Sequence, residues 1–395
     1  MSMRVIPYLL CSLVAAEAAA QRAFARFPGS PVPGAVARSD ADEAAIDFEF
    51  EAPAGGRYRC EISLADAPKG AEVWVEDYVG NPDGRSYDIT GPIQAPVGAS
   101  TVSRTGSPMD KGARRMRLHH RGGPVVVREV AFELVIPHAA TPAHLVQRDA
   151  GDKLVLVWAD EFDGSGPVDT TKWTYDVGDW GWGNRELQRY TADRTENARR
   201  EEGCLVIEAR RDDLGHPWTS ARLTTRGKIA FLRGRIEFRA KVPSEDGAWA
   251  AAWLLGDAYR DEKSWPYCGE IDVLEGVGRE IDDATGDGTN HASCHTRAYY
   301  FKQGNHISNR RQLKRMATDF HVYALEWTES RVTAEVDGET YYVYDKTNGP
   351  LEWPFAAPQC LILNLAMGGG MGGPVDPKAQ RVQFVVDYVR VFGRQ

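Results

Sequence analysis

The stretch WPYCGEIDVLEGVG, residues 265–278, places three carboxylates, Glu270, Asp272 and Glu275, among Ile, Val and Leu. In an extended chain residues i and i+2 share a face, so Glu270 and Asp272 point one way while Ile271 and Val273 point the other. Strict alternation sends Leu274 to the acidic face and Glu275 away from it. One extra residue in a β-bulge returns Glu275 to its partners, so the spacing E-x-D-x-x-E predicts a bulge at Val273-Leu274.

With that bulge the two glutamate Cα atoms lie roughly 13 Å apart along the strand. Their side chains can lean together until the carboxyl groups are ~5 to 5.5 Å apart, the separation at which one carboxylate attacks an acetal carbon and the other serves as acid and then base. Three like charges this close cannot all ionise cheaply, so one pKa should rise, as a general acid requires. Spacing alone leaves two other readings open. A calcium-type cation accepts such oxygens, and the acids of an exposed strand can simply be solvated.

The elements that must position these acids read as strands. LVLVWADEF, CLVIEARR, GRIEFRAKVP, DFHVYALEWT, RVTAEVDGETYYVYD, PQCLILNLAM and VQFVVDYVRVF follow one another downstream of residue 150, and no 3.6-residue stripe is sustained except for a helical turn expected around Arg310 to Ala317. Such strand density predicts an all-β domain, a large antiparallel β-sandwich or jelly roll, over residues 151–395. Upstream, AIDFEFEAP, GRYRCEISLA, AEVWVEDYV and PVVVREVAFELVI alternate between Gly and Pro breaks and predict a smaller β-sandwich over 28–138. Residues 139–150 carry no periodic signal and read as a linker.

The chain has 395 residues, 43% hydrophobic and 26% charged, with a net charge of -9. That composition supports full cores and argues against nucleic acid as a partner, because phosphate binding needs a basic surface. Arg4 precedes an apolar run from Val5 to Ala16, with small residues at Ala18 and Ala20. This predicts a signal peptide over residues 1–20, hence a secreted protein with no membrane contact after cleavage. Five cysteines remain, Cys60, Cys204, Cys268, Cys294 and Cys360, at spacings that match no zinc pattern. An odd number leaves at least one thiol free, and most are expected to be small buried hydrophobes. Of the 11 tryptophans, Trp180 and Trp182 fall in the Gly-rich GDWGWGN, where a loop is expected to expose their faces for stacking.

The stretch GEIDVLE resembles the signature of glycoside hydrolase family 16 in its bulged form, the form of endo-β-1,3-glucanases, β-1,3(4)-glucanases, agarases and carrageenases. The likeness extends through LVWADEFDG, TKWTYDVGDWGWGNRELQRYT, ARLTTRGKIAFLRGRIEFRAKVP, GAWAAAWLLG, FHVYALEWTESRVTAEVDG and PQCLILNLAMGGGMGG, in the family's order, over about residues 151 to 393. It implies a jelly roll with a concave cleft and an endo-acting, retaining hydrolase of β-1,3-linked or mixed β-1,3-1,4-linked glucans. By resemblance Glu270 is the nucleophile, Glu275 the acid/base and Asp272 their assisting carboxylate. Trp249, Trp253 and Trp265 match aromatic residues of the negative subsites. Asn184, Glu186 and Arg222 match polar cleft positions, and His295 matches a histidine on the leaving-group side. No cofactor is implied for catalysis. One structural calcium ion is implied on the convex face, held by Glu161, the backbone of Gly203 and Asp387. The implied partner is a polysaccharide, and a monomer is expected.

Two departures from the family pattern stand out. Ala250 occupies a position where Pro is frequent, and NHASCHTRAYYFKQGNHISNRRQL replaces a shorter run beside the cleft. The second places linkage preference in question. The alternatives are a hydrolase of a marine galactan, whose sulfate groups Arg222, Arg226 and Arg297 could meet, and a non-catalytic carbohydrate-binding protein on the same fold. For the N-terminal sandwich, a sugar-stacking surface of Trp74, Tyr78 and Tyr87 and a purely structural role are equally open.

Overall fold

The computed structural model describes residues 22–27, 37–39, 41–77, 86–147, 151, 153–346 and 349–394. The expected signal peptide and Tyr78 lie outside them. Among the described residues the strands form four sheets, two of five strands, one of nine and one of ten. The five-stranded pair encloses a core of Phe48, Phe50, Tyr58, Met116, Leu118 and Phe132. The larger pair encloses a second core that includes Trp173, Trp218, Trp327, Phe238, Leu325 and Val391. A smaller β-sandwich thus precedes a jelly-roll-like one, in an almost wholly β molecule.

Alternation explains why these segments pair as they do. Gly234–Lys241 alternates strictly between buried and half-buried residues, so one of its faces enters the core and the other stays half-covered. Gln359–Met367 is buried at every position, because this central strand has the core on one face and the cleft wall on the other. In the nine-stranded sheet the order places Gln359–Met367 beside Ala248–Gly256, then Glu270–Val277, then Gly288–His295, then Ile307–Leu313.

The acidic strand is bulged where the spacing predicts. Against Ala248–Gly256 the register runs Ala252 to Leu274 and then Trp253 to Asp272, leaving Val273 without a partner. Against Gly288–His295 it shifts between Asp272, opposite Ser293, and Glu275, opposite His291. Ile271, Val273 and Leu274 all join the core. Burying each is worth about 1.5–3 kcal/mol, whereas the unbulged alternative would put Leu274 in the cleft and a carboxylate in the core, at a cost of several kcal/mol.

A bulge leaves backbone groups unpaired, and Asn290 takes them. This fully buried side chain donates from Nδ2 to the Val273 carbonyl at 3.1 Å and to the Tyr341 hydroxyl at 2.7 Å. Its Oδ1 accepts from the Glu275 amide at 3.2 Å.

Two expectations about organisation change. Residues 143–146 of the expected linker form the strand Ala143–Val146, parallel to Ile229–Leu232 and extending the nine-stranded sheet, because the edge of that strand is open to pairing. Within the stretch expected to turn helically, residues up to Leu313 belong to the strand Ile307–Leu313, paired to Gly288–His295, and residues 314–318 form turns. Good helix formers there yield to an available strand edge, where cross-strand hydrogen bonds outweigh local propensity. The five cysteines Cys60, Cys204, Cys268, Cys294 and Cys360 are free thiols, all but Cys204 buried.

Asn290→Ala should lower stability by about 1–3 kcal/mol, the cost of leaving buried polar groups unpaired, and should reduce kcat by loosening Glu275. Denaturant unfolding and initial-rate kinetics measure both; an unchanged midpoint with unchanged kcat would mean that the bulge holds itself without Asn290.

Candidate active site

Glu270, Asp272 and Glu275 lie on the floor of a cavity of about 450 Å³. It crosses the nine-stranded sheet from His306 and His295 at one side, over the three acids, to Trp253, Asn364 and Arg222 at the other. Asn184, Glu186, Arg222, Trp249, Trp253, Trp265 and His295, the candidates from sequence, all line this cavity. Strand pairing explains the convergence. Trp253 lies opposite Asp272, and Glu270 lies opposite His295.

Each glutamate is held by an indole. Trp265 Nε1 donates to Glu270 Oε2 at 2.9 Å, and Trp249 Nε1 donates to Glu275 Oε1 at 3.1 Å. Ser293 Oγ donates to Asp272 Oδ2 at 2.5 Å. His295 Nε2 lies 3.3 Å from Asp272 Oδ2 and 3.8 Å from Glu270 Oε1. Burial opposes a charge on this imidazole, but the Asp272 hydrogen bond and the two carboxylates outweigh it and hold its pKa above the ordinary value.

The carboxylates respond in the opposite sense. Burial, then the charge of Asp272, pushes Glu270 up to about 7, with His295, Trp265 and Arg222 pulling the other way. Glu275 is pushed well above the usual carboxylate range by burial and by both neighbouring acids, with only the Trp249 hydrogen bond opposing. Glu270, nearer the imidazole, therefore ionises more readily than Glu275. The group titrates as a coupled set. One ionised and one protonated carboxyl on the same cleft floor can perform nucleophilic attack and proton donation.

At the Arg222 side the polar residues form a connected network. Arg222 Nε donates to Asp176 at 3.0 Å, and its guanidinium lies 4.7 Å from the Trp253 ring and 4.9 Å from the Trp182 ring. Trp253 Nε1 donates to Asn364 Oδ1 at 2.7 Å. Glu186 accepts from Asn184 at 3.2 Å and from Gln188 at 2.6 Å, yet burial still pushes it up to about 7. The glycine run after Met367 folds against this group. A Cβ at Gly369, where φ is +73°, would lie 3.0 Å from Glu186 Cγ and 3.1 Å from the Asn184 carbonyl, so only glycine fits without displacement.

Sequence reasoning missed several lining residues. Asn364 is a lone polar residue in the apolar LILNLAM, and Ser293 shares a face with His295 by simple alternation, so both carried a signal. Phe301, Lys302 and His306 carried none, because they arrive from the atypical segment after His295. Phe301 lies 5.7 Å from the rings of both Trp265 and His295, His306 stacks on His295 at 5.4 Å, and Lys302 Nζ lies 5.4 Å from the Trp265 ring.

One expectation is corrected, and the residues of two others are found already paired. Trp180 and Trp182 are buried, at 4% and 7% exposure, and pack with Tyr190. Trp182 borders the cavity, but Arg57 and Arg222 lie against its ring, so its faces are not open for stacking. On the N-terminal sandwich Tyr87 is buried, and the half-buried Trp74 is stacked on His119 at 4.9 Å with Arg121 beside it, which favours the structural role of the two left open. Of the expected calcium ligands, Glu161 is held by both donors of Arg390 at 2.8 Å, and Asp387 is ion-paired with Arg239. In this arrangement these arginines supply the charge that a divalent ion would.

Residues 185–390 match the family profile described as "Glycosyl hydrolases family 16". The chain is 43% identical over 277 residues to the "Beta-glucanase" of Rhodothermus marinus, spanning 68% of this chain and 95% of that protein. It is 33% identical over 260 residues to the "Glucan endo-1,3-beta-glucosidase" of Cryptopygus antarcticus, spanning 60% of this chain and 91% of that one. The solved structure of the laminarinase from Rhodothermus marinus superposes with a TM-score of 0.57 at 44% identity, covering 61% of this chain and 98% of that one. With a bulged acidic strand flooring a cleft on a jelly-roll-like sandwich, and with these likenesses over the same region, the chain belongs to glycoside hydrolase family 16.

Proposed function

We propose that this protein is an endo-acting, retaining hydrolase of β-1,3-linked glucans, mixed β-1,3-1,4-linked chains included. The observation that carries the reading is the pair Glu270 and Glu275 on one cleft floor, each held by an indole, with the His295 imidazole beside Glu270 alone. Glu270 attacks the anomeric carbon while Glu275 protonates the departing glycosidic oxygen, giving a covalent glycosyl-enzyme. Glu275 then takes a proton from the water that displaces Glu270, so configuration is retained overall. Asp272 raises the proton affinity of both glutamates and, with Ser293, fixes His295 beside Glu270. Trp249, Trp253, Trp265, Asn184, Glu186 and Arg222 hold the sugar chain. A cleft that crosses several strands suits attack within a chain.

The arginines argue for a neutral glucan over a sulfated galactan. Asp176 balances the charge of Arg222 while leaving its other donors for neutral hydroxyls, Arg226 donates to the carbonyls of Gly256, Asp257 and Tyr259, and Arg297 donates to the Tyr267 hydroxyl. A role in sugar binding without catalysis is disfavoured by three acids held together at the cost of raised proton affinity.

Incubation with laminarin, barley β-glucan, agarose, porphyran and carrageenan tests the substrate. Reducing ends should rise on the first two, in products of intermediate length; turnover of a galactan alone would refute the reading. Glu270→Gln should lower kcat by about a thousandfold or more. Glu275→Ala should regain rate with azide and yield a glycosyl azide of retained configuration, and absence of that product would reverse the roles.

The pH dependence of kcat/KM should be bell-shaped, rising as Glu270 ionises and falling as Glu275 does. Asp272→Asn removes a charge that raises both glutamates, so both limbs should move to lower pH; unmoved limbs would remove Asp272 from this role. For the calcium ion expected at Glu161, Gly203 and Asp387, the arginine pairing favours a cation-free arrangement. Thermal melting should then be the same in EDTA and in millimolar calcium, and stabilisation by calcium would restore the ion to that site.

A further inference from the structure

Two buried ion-pair clusters tie the N-terminal sandwich to the loops that wall the cleft. In the first, Arg57, 6% exposed at the start of Gly56–Asp66, donates to Asp176 Oδ1 at 3.0 Å and to the Gly106 carbonyl at 3.5 Å. The other oxygen of Asp176 accepts from Arg222. The Arg57 guanidinium also lies 4.7 Å from the Trp182 ring, which Arg222 contacts too. In the second cluster Arg114 reaches Asp77 at 3.0 Å within its own sandwich and Asp261 at 3.3 Å across the seam, and Lys263 returns to Asp77 at 3.1 Å. Asp261 and Lys263 flank Glu262 in the loop that leads to Trp265, and both Glu262 and Trp265 line the cleft.

Between these clusters the backbones touch. A Cβ at Gly91 would lie 2.8 Å from the Trp180 carbonyl oxygen, and one at Gly178 would lie 2.9 Å from that of Thr105. The seam therefore has little slack, and the Trp180–Trp182 loop cannot settle independently of the N-terminal sandwich. Arg222 commits Nε to Asp176, which leaves its remaining donors to meet sugar hydroxyls. Without Arg57, Asp176 would keep Arg222 as its one ion-paired arginine and Trp182 would lose one of the two guanidinium groups packed on it. Arg222 would then have room to shift toward Asp176 and away from the cleft.

We infer that the N-terminal sandwich buttresses the loops that wall the substrate cleft, and that Arg57 is a positioning residue that fixes Arg222 and Trp182 at the end of the cleft beyond Trp253. The choice of substrate in the test rests on the β-glucan reading; the geometry does not. Because this end of the cleft binds chain without touching the reacting bond, losing Arg57 removes binding common to ground and transition states.

Full-length wild type, Arg57→Ala, Arg57→Lys and Arg59→Ala are compared on laminarin and by hydrogen exchange without substrate. Arg59 is on the same strand but pairs with Glu61 and Glu133 of its own sandwich. Arg57→Ala should raise KM about tenfold with kcat within about twofold of wild type. Arg57→Lys keeps the charge on Asp176 but not the planar contact with Trp182, and should raise KM only about threefold. Amides in residues 178–190 and 222–226 should exchange faster in Arg57→Ala, while Arg59→Ala should match wild type in both measurements. A wild-type KM in Arg57→Ala, or an equal rise in Arg59→Ala, overturns the inference. Should Arg57→Ala not fold, Arg57→Lys decides on the same readings. If wild type leaves laminarin intact, the glucan reading fails and exchange alone decides: faster exchange confined to the Arg57 variants supports the buttress, and exchange equal to wild type overturns it.

Discussion

Two adjacent apolar side chains, Val273 and Leu274, entering the same core are the constraint on which the site depends. A strand normally cannot bury neighbours on one face, so the chain bulges there and Glu275 reappears beside Glu270 and Asp272. The driving force is ordinary hydrophobic burial, opposed by unpaired backbone groups at the bulge. Asn290 removes most of that opposition by pairing with Val273 and Glu275 from the neighbouring strand. Catalytic geometry is thus a by-product of where the core accepts methyl groups.

Holding three acids together creates a second constraint, electrostatic in kind. Water is largely excluded from Asp272 and His295, at 5% and 6% exposure, so charge has to be shared among fixed partners. Indole donors take one oxygen of each glutamate, and the imidazole compensates Asp272 and Glu270 but not Glu275. On the proposed mechanism this asymmetry separates two chemically identical side chains into a nucleophile and an acid.

Much of the fold was legible because alternation survives wherever a strand has one wet and one dry face. The all-β class, the two sandwiches and the inward direction of Ile271 and Val273 follow from that pattern. It fails where local sequence competes with tertiary opportunity. Residues 143–146 lack periodicity yet pair with an open edge, and residues 310–313, favourable to helix, complete a sheet instead. Trp180 and Trp182 were misread for a related reason. A Gly-rich loop is exposed only if nothing covers it, and here a second sandwich places Arg57 and backbone atoms against it. Glu161 and Asp387 have the chemistry of calcium ligands in sequence, but Arg390 and Arg239, on neighbouring positions of the folded sheet, neutralise them.

By itself the sequence determined the identity of the acids, their common face and the need for a bulge, since these follow from side-chain polarity and a period of two along one strand. It also carried much of the polar and aromatic lining of the cleft: Asn184, Glu186, Arg222, Trp249, Trp253, Trp265 and His295 line the same cavity. Tertiary structure alone decided which glutamate sits by the imidazole and which tryptophan holds which carboxylate. It also decided that Phe301, Lys302 and His306 close on the cleft, and that Arg57 reaches Asp176 across 119 positions of chain. Those outcomes depend on contacts between segments far apart in sequence, whose geometry is set by packing two sandwiches together and leaves no periodic trace in either segment.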